Sequence, residues 1–247
     1  MQKLKCVALA AMLLTGAVHA AENPQVSMKT TMGEIIVELD QEKAPVSTAN
    51  FMAYVKSGFY KDTIFHRVIN GFMIQGGGYT ADLKSKPGLR PTIKSEAKNG
   101  LSNAAYTIAM ARHDDPNSGQ SQWFINVVDN PGLDFPLPDG KGYAVFGKVI
   151  QGKEVVDKIK GVLVDDKPNF QNLPVNPITV KSVTVLKTRI VPPPEPAAPP
   201  PPPAPSAPEA QPAPPAPPAE AQPAQPAPPP AEPTPAVQPA PAPEAVK

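Results

Sequence analysis

Cysteine is almost missing from this sequence: the single one, Cys6, lies in the first 20 residues. A disulfide-stapled scaffold and thiol catalysis are therefore excluded for the rest of the chain. A strong charge of one sign is missing too. The first 20 residues carry Lys3 and Lys5, and the last 57 carry five Glu against Lys247. Residues 21–190 then hold 20 basic and 17 acidic side chains, a balance too mild for nucleic acid. After residue 20 no apolar run reaches the ~18–20 residues that span a bilayer. No Gly-x-Ser-x-Gly elbow occurs, so Ser121 has no claim to be a nucleophile. His113, Asp114 and Asp115 are adjacent, without the spacing of a metal site, and Asp-Pro-Asn-Ser-Gly is turn chemistry. No metal and no cofactor is expected.

The two ends lack the means to fold. Of 37 prolines, 26 lie in residues 191–247, which have no aromatic residue, no Gly, and Val as the only large aliphatic. Such a segment buries too little apolar surface to offset the entropy of ordering. It is expected to be a disordered Pro/Ala-rich tail, with a partner the sequence does not name. Met1–Ala20 runs from Lys3 and Lys5 through an apolar stretch, Val7 to Leu14, to Val18-His19-Ala20. That order is the pattern of a secretory signal peptide and predicts export. Residues 21–190 remain as one domain, long enough for a sizeable core.

Most of the domain reads as short strands. Val26–Thr30 and Glu34–Leu39 flank a Gly-containing turn. Further β-rich runs are Thr63–Ile69, Phe72–Gln75, Tyr106–Met110, Gln122–Val127, Tyr143–Ile150 and Ile178–Leu186, about eight strands in all. Two helices are predicted. One starts at Pro45, shows a face of Ala49, Met52 and Ala53, and stops at Gly58. The other carries Val155, Val156 and Ile159 and ends at Gly161. Many short strands with two helices favour a mainly β, closed antiparallel barrel over an alternating α/β sheet.

Phe65–Gly78 reads FHRVINGFMIQGGG. Arg67 has a plain alternative, a strand arginine whose stem packs on the sheet and whose head meets solvent. Its neighbours argue for more. Met73 and Gln75 share a face by period-2 alternation, so an apolar group and an amide point the same way. A bend is needed to bring Phe72 to that face. Gly76, Gly77 and Gly78 admit other backbone closely. By the same alternation, one of Trp123 and Phe124 faces the core and the other a surface.

These stretches carry a resemblance. FHRVI, GFMIQGG (Gly71–Gly77), SGQSQWFI (Ser118–Ile125) and VFGKV (Val145–Val149) resemble the cyclophilin-type peptidyl-prolyl cis-trans isomerases, and the likeness covers residues 24–187. With the export signal and Tyr143, the chain looks similar to the bacterial periplasmic branch. The resemblance implies an eight-stranded barrel capped by two helices, with a groove on its outer face. It matches Arg67 to the catalytic arginine, with Gln75 able to orient its fork. Phe72, Met73, Phe124 and Leu133 match the walls of a proline pocket, and Tyr143 can wall it where other members have His. Gln75 and Gln122 match groups that hold the substrate backbone. Ala111 and Arg112 match a loop whose main chain pairs with the residue before proline, so the Arg112 side chain is expected to matter little. Gly132 stands where many members have Trp, and weak cyclosporin binding is expected. The implied partners are unfolded or proline-containing polypeptides. The alternative from another class is a non-catalytic chaperone that keeps the groove alone.

Overall fold

The computed structural model describes residues 22–191. The signal-like and Pro-rich ends lie outside them. The chain enters as a hairpin, β1 (Gln25–Thr30) and β2 (Gly33–Leu39), and continues through helix α1 (Pro45–Lys56). Strands β3 (Thr63–Ile69), β4 (Met73–Thr80), β5 (Thr107–Met110), β6 (Trp123–Asn126) and β7 (Val145–Gln151) follow. Helix α2 (Lys153–Lys160), a hairpin of β8 (Val164–Lys167) and β9 (Phe170–Pro174), and β10 (Val180–Val185) complete the domain.

Eight strands form one antiparallel sheet in the order β10-β1-β2-β7-β5-β6-β4-β3. Its ends approach each other. Ile64 bridges Thr179, and the Phe65 and Asp62 N–H groups donate to the carbonyls of Ile178 (3.0 Å) and Val180 (2.8 Å). The result is a nearly closed barrel, as the strand count predicted. The two-stranded β8–β9 sheet is an addition to the expected eight. Its first strand, Val-Asp-Asp-Lys, is exposed throughout, so no apolar alternation announced it. Phe170 of β9 anchors it edge-on against Tyr79, with ring centroids 4.9 Å apart.

Two other expectations are corrected. Helix α1 forms at Pro45, but its buried residues include Phe51, Tyr54 and Val55, whereas Ala49 is exposed and Met52 and Ala53 half-exposed. Large aromatic rings bury more area than Ala and Met, so they take the core side. Strand β4 begins at Met73 and runs through the three glycines to Thr80. Glycine is needed there because Trp123 packs over Gly76 and Gly77, and Gln122 over Gly78: a Cβ on Gly77, whose φ is +84°, would lie 2.7 Å from both the Trp123 indole nitrogen and the Ser121 carbonyl. Trp123 is fully buried with Phe51, Tyr54, Tyr60, Phe65 and Phe146. These rings meet in tilted and edge-on pairs, such as Phe65–Trp123 at 5.5 Å, a geometry that adds to area burial. On α2, Val155, Val156 and Ile159 are buried as predicted.

Candidate active site

Strand pairing puts one residue from each of five neighbouring strands in a line. Arg67 pairs with Gln75, Gln75 with Phe124, Phe124 with Ala109, and Ala109 with Val145. Paired residues point to the same face of a sheet. The adjacent line, Val68–Ile74–Ile125–Ile108, belongs to the barrel core. The Arg67 line therefore faces outward. Arg67 and Phe124 are two strands apart, about 10 Å across the sheet.

A second apolar cluster, separate from the barrel core, lies on this outer face. Met73, Ala109, Phe124 and Val145 form its buried part, with Ile69, Phe72, Leu101, Ala111, Leu133 and Tyr143 packed around them half-buried. All six apolar or aromatic residues singled out from the sequence are present: Phe72, Met73, Ala111, Phe124, Leu133 and Tyr143. Gly71 supplies the bend that Phe72 required. Its φ is +80°, and the Phe72 N–H donates to the Ile69 carbonyl across the turn (3.1 Å). Trp123 and Phe124 divide as alternation demanded, Trp123 to the core and Phe124 to this cluster.

The polar side of the site is built around Gln122. The Gln75 side-chain amide donates to its Oε1 (2.9 Å), and both line a cavity of about 140 Å³ with Ala111, Arg112 and His113. Gln75, expected to orient the Arg67 fork, is its cross-strand partner, while the Gln75 amide nitrogen is bonded to Gln122. Among the described residues no carboxylate pairs with the half-buried Arg67. Beside it, His66 is buried and its Nδ1 has no hydrogen-bond partner. Burial lowers its pKa to about 4, and the Arg67 charge adds to the shift. The imidazole is neutral at pH 7. His113, Asp114 and Asp115 lie on an exposed turn, closed by the Asn117 N–H on the Asp115 carboxylate (2.9 Å).

Three asparagines support the walls from beneath, and sequence reasoning missed them. The Asn130 amide donates to the Phe72 carbonyl (2.8 Å) and to Asn126 Oδ1 (2.7 Å). Asn126 donates to Asn103 Oδ1 (3.2 Å), and Asn103 to the Tyr143 carbonyl (3.3 Å). Asn103 also donates through its N–H and side chain to Asp134, next to Leu133. Asn126 shares the Phe124 face by alternation, the one signal that was available. Ile69, Leu101, Ala109 and Val145 went unnamed because their place depends on which strands pair.

Arg112 departs from the expectation that its side chain matters little. Its side chain is only 6% exposed. Nη2 reaches both Asp139 oxygens (2.8 and 2.9 Å), Nε donates to the Gly142 carbonyl (2.9 Å), and Nη1 to the His113 carbonyl (2.9 Å). Desolvation raises the Asp139 pKa, but bonding to Arg112 and the Lys141 N–H holds it below the ordinary carboxylate value.

The outer face thus sets a cation-bearing row beside an apolar cluster. Residues 25–185 match the model of the cyclophilin type peptidyl-prolyl cis-trans isomerase/CLD family. The chain is 50% identical over 163 residues to a peptidyl-prolyl cis-trans isomerase, cyp18, of Streptomyces antibioticus, covering 65% of this chain and 98% of that one. It is 50% identical over 182 residues to a peptidyl-prolyl cis-trans isomerase of Acinetobacter baylyi, covering 74% and 96%. Among solved structures, it is similar to a Cryptosporidium parvum cyclophilin type isomerase crystallised in the presence of the dipeptide Ala-Pro. That match has a TM-score of 0.55 at 28% identity and covers 66% of this chain and 99% of that one.

Proposed function

The chain belongs to the cyclophilin-type peptidyl-prolyl cis-trans isomerases, and from that premise we propose that it speeds X-Pro isomerisation in exported polypeptides as they fold. The observation that carries the catalytic assignment is the Arg67–Gln75–Phe124–Ala109–Val145 row, with its cation beside an outward-facing apolar cluster.

The reaction breaks no bond. Its barrier is lost amide resonance, ~18–20 kcal/mol, and uncatalysed X-Pro exchange takes roughly tens to hundreds of seconds. As the bond twists, the proline nitrogen becomes pyramidal and gains a lone pair. A fixed cationic donor aimed at that nitrogen favours the twisted state over the planar one. Arg67 fills this role, always charged and with a planar fork of donors. The proline ring rests among Phe72, Met73, Phe124, Leu133 and Tyr143 while the preceding carbonyl rotates. Gln75 and Gln122 act as a bonded pair on the substrate backbone, and the main chain of Ala111 and Arg112 pairs with the residue before proline. The chemistry asks nothing of a metal or cofactor.

Met1–Ala20 directs the chain to the bacterial periplasm and is removed after Ala20, and residues 191–247 serve as a spacer. Support comes from the charged, apolar, small-residue order at the start and the Pro-rich composition at the end. Mass spectrometry of the exported protein is expected to find Ala21 at the N-terminus; intact Met1 contradicts export by cleavage. The activity test is isomerisation of an Ala-Pro peptide by residues 21–247. A rate above the uncatalysed one is expected. Suppressed aggregation of unfolded chains with no change in that rate would instead establish the chaperone alternative.

A further inference from the structure

Tyr143 forms one wall of the apolar basin, edge-on to Phe124 with ring centroids 5.6 Å apart. Its other face is covered by the Arg112 guanidinium, 4.3 Å from the ring centroid. Arg112 lies just beyond β5, in the loop assigned above to the residue before proline; Tyr143 lies 31 positions on, just before β7. Lys141 adds a second tie between the two segments, donating to the Asp114 carbonyl (2.6 Å).

We propose that the Arg112 side chain is a positioning residue for the proline pocket: anchored by Asp139, Gly142 and His113, it presses Tyr143 against Phe124 and holds the two substrate-binding segments together. This rests on the isomerase reading of the site. The geometry separates it from a surface ion pair. A surface arginine contributes little because it orders two flexible chains in water. Here the side chain is nearly all buried, and four hydrogen bonds hold the guanidinium over the ring. A lysine cannot replace it. An ammonium reaches Asp139 but has no planar fork to bond Gly142 and stack on the ring together. Arg112 does not act on the proline nitrogen, so its loss falls on binding and leaves the twisting step to Arg67.

The test is a set of variants of residues 21–247 assayed on an Ala-Pro peptide well below their melting temperatures. Arg112→Ala is expected to raise KM about fivefold to tenfold, between the worth of an exposed and of a desolvated cation–π contact, with kcat within about twofold. Arg112→Lys is expected to recover only a minor part of that loss. Tyr143→Ala is expected to raise KM similarly, and Arg112→Ala added to it is expected to raise KM by less than it does alone. An unchanged KM in Arg112→Ala overturns the proposal, as does a fall in kcat alone or a double variant whose effects multiply. Should Arg112→Ala fail to fold, Asp139→Asn carries the test: KM is expected to rise about two- to threefold, and an unchanged value overturns it. The same comparison holds for the dissociation constant of the peptide measured by titration. A wild-type chain that binds peptide without turnover therefore strikes the isomerase reading and leaves this one standing on its own result.

Discussion

Arg67 and His66 are neighbours in sequence with opposite environments, and the difference has a measurable consequence. Arg67 points outward from β3 beside Gln75, whereas His66 is turned into a site closed by Tyr79 and Phe170. A histidine whose folded pKa lies near 4 takes up its proton more readily when unfolded, where the value is about 6.5. Between those values the unfolded state binds more protons, so stability is full above pH 6.5 and falls as the pH drops toward 4. The total loss is about 3 kcal/mol. Of the two histidines after residue 20, His66 is expected to titrate near pH 4 by NMR. An ordinary value near 6.5 contradicts the burial argument. Gly132 offers a second single-residue test. No atom lies within 4 Å of a Cβ added there, so the first carbon of a side chain at this position meets no obstacle. Cyclosporin is expected to bind the wild type weakly and Gly132→Trp more tightly; nanomolar wild-type binding contradicts this. Single residues were unevenly legible. Alternation separated Trp123 from Phe124 because both lie in one strand. It was silent on the Arg112 side chain, whose partner Asp139 is 27 positions away.

Helix α1 shows what an element owes to distant sequence. Its N-cap is Ala44, which makes no side-chain cap, and its first turn has no acidic residue. The Glu96 carboxylate supplies both functions from 50 positions away, accepting the N–H groups of Val46 (2.8 Å) and Ser47 (2.7 Å). Pro45 has no N–H and the Ala44 N–H donates to the Asp40 carbonyl, so Glu96 satisfies the two donors left and places negative charge at the positive end of the helix. Glu96→Ala is expected to cost about 1–2 kcal/mol, or roughly 3–6 °C in Tm for a domain of this size. Glu96→Gln keeps one acceptor and is expected to lose less. An unchanged Tm in Glu96→Ala, followed by circular dichroism, contradicts the cap. The helix itself was readable from Pro45 at its first position and Gly58 beyond its end. Its buried face was not, because Ala49, Met52 and Ala53 match helical spacing as well as Phe51, Tyr54 and Val55 do. The β8–β9 hairpin was illegible for a different reason: it follows no apolar pattern and is held by the Phe170 ring and two asparagines at positive φ, Asn169 and Asn172.

At the scale of the whole molecule, the last described residues are bonded back to the first strands. The Ile190 N–H donates to Gln25 Oε1 (2.8 Å), Gln25 Nε2 donates to the Ile190 carbonyl (2.9 Å), and Arg189 pairs with Glu38 (3.0 Å). These bonds tie the end of the domain to β1 and β2, and Val191 beyond them is 82% exposed. Truncation after Ile190 keeps all of them. It is expected to leave Tm unchanged and kcat/KM within about a factor of two. The rival is self-inhibition. The Ala-Pro bonds of residues 191–247 resemble substrate, and tethering raises their effective concentration to roughly the millimolar range. A several-fold rise in activity on truncation, reversed by the tail added as a separate peptide, sinks the spacer assignment. The barrel, by contrast, was legible as a class because many short alternating runs with two helices leave few ways to bury their apolar faces. The central assignment, a fixed cation acting on the twisting bond, is tested most directly by Arg67→Ala. With folding checked by circular dichroism, kcat/KM toward an Ala-Pro peptide is expected to fall by about 10²–10³. Isomerisation at the wild-type rate by the folded variant would contradict it.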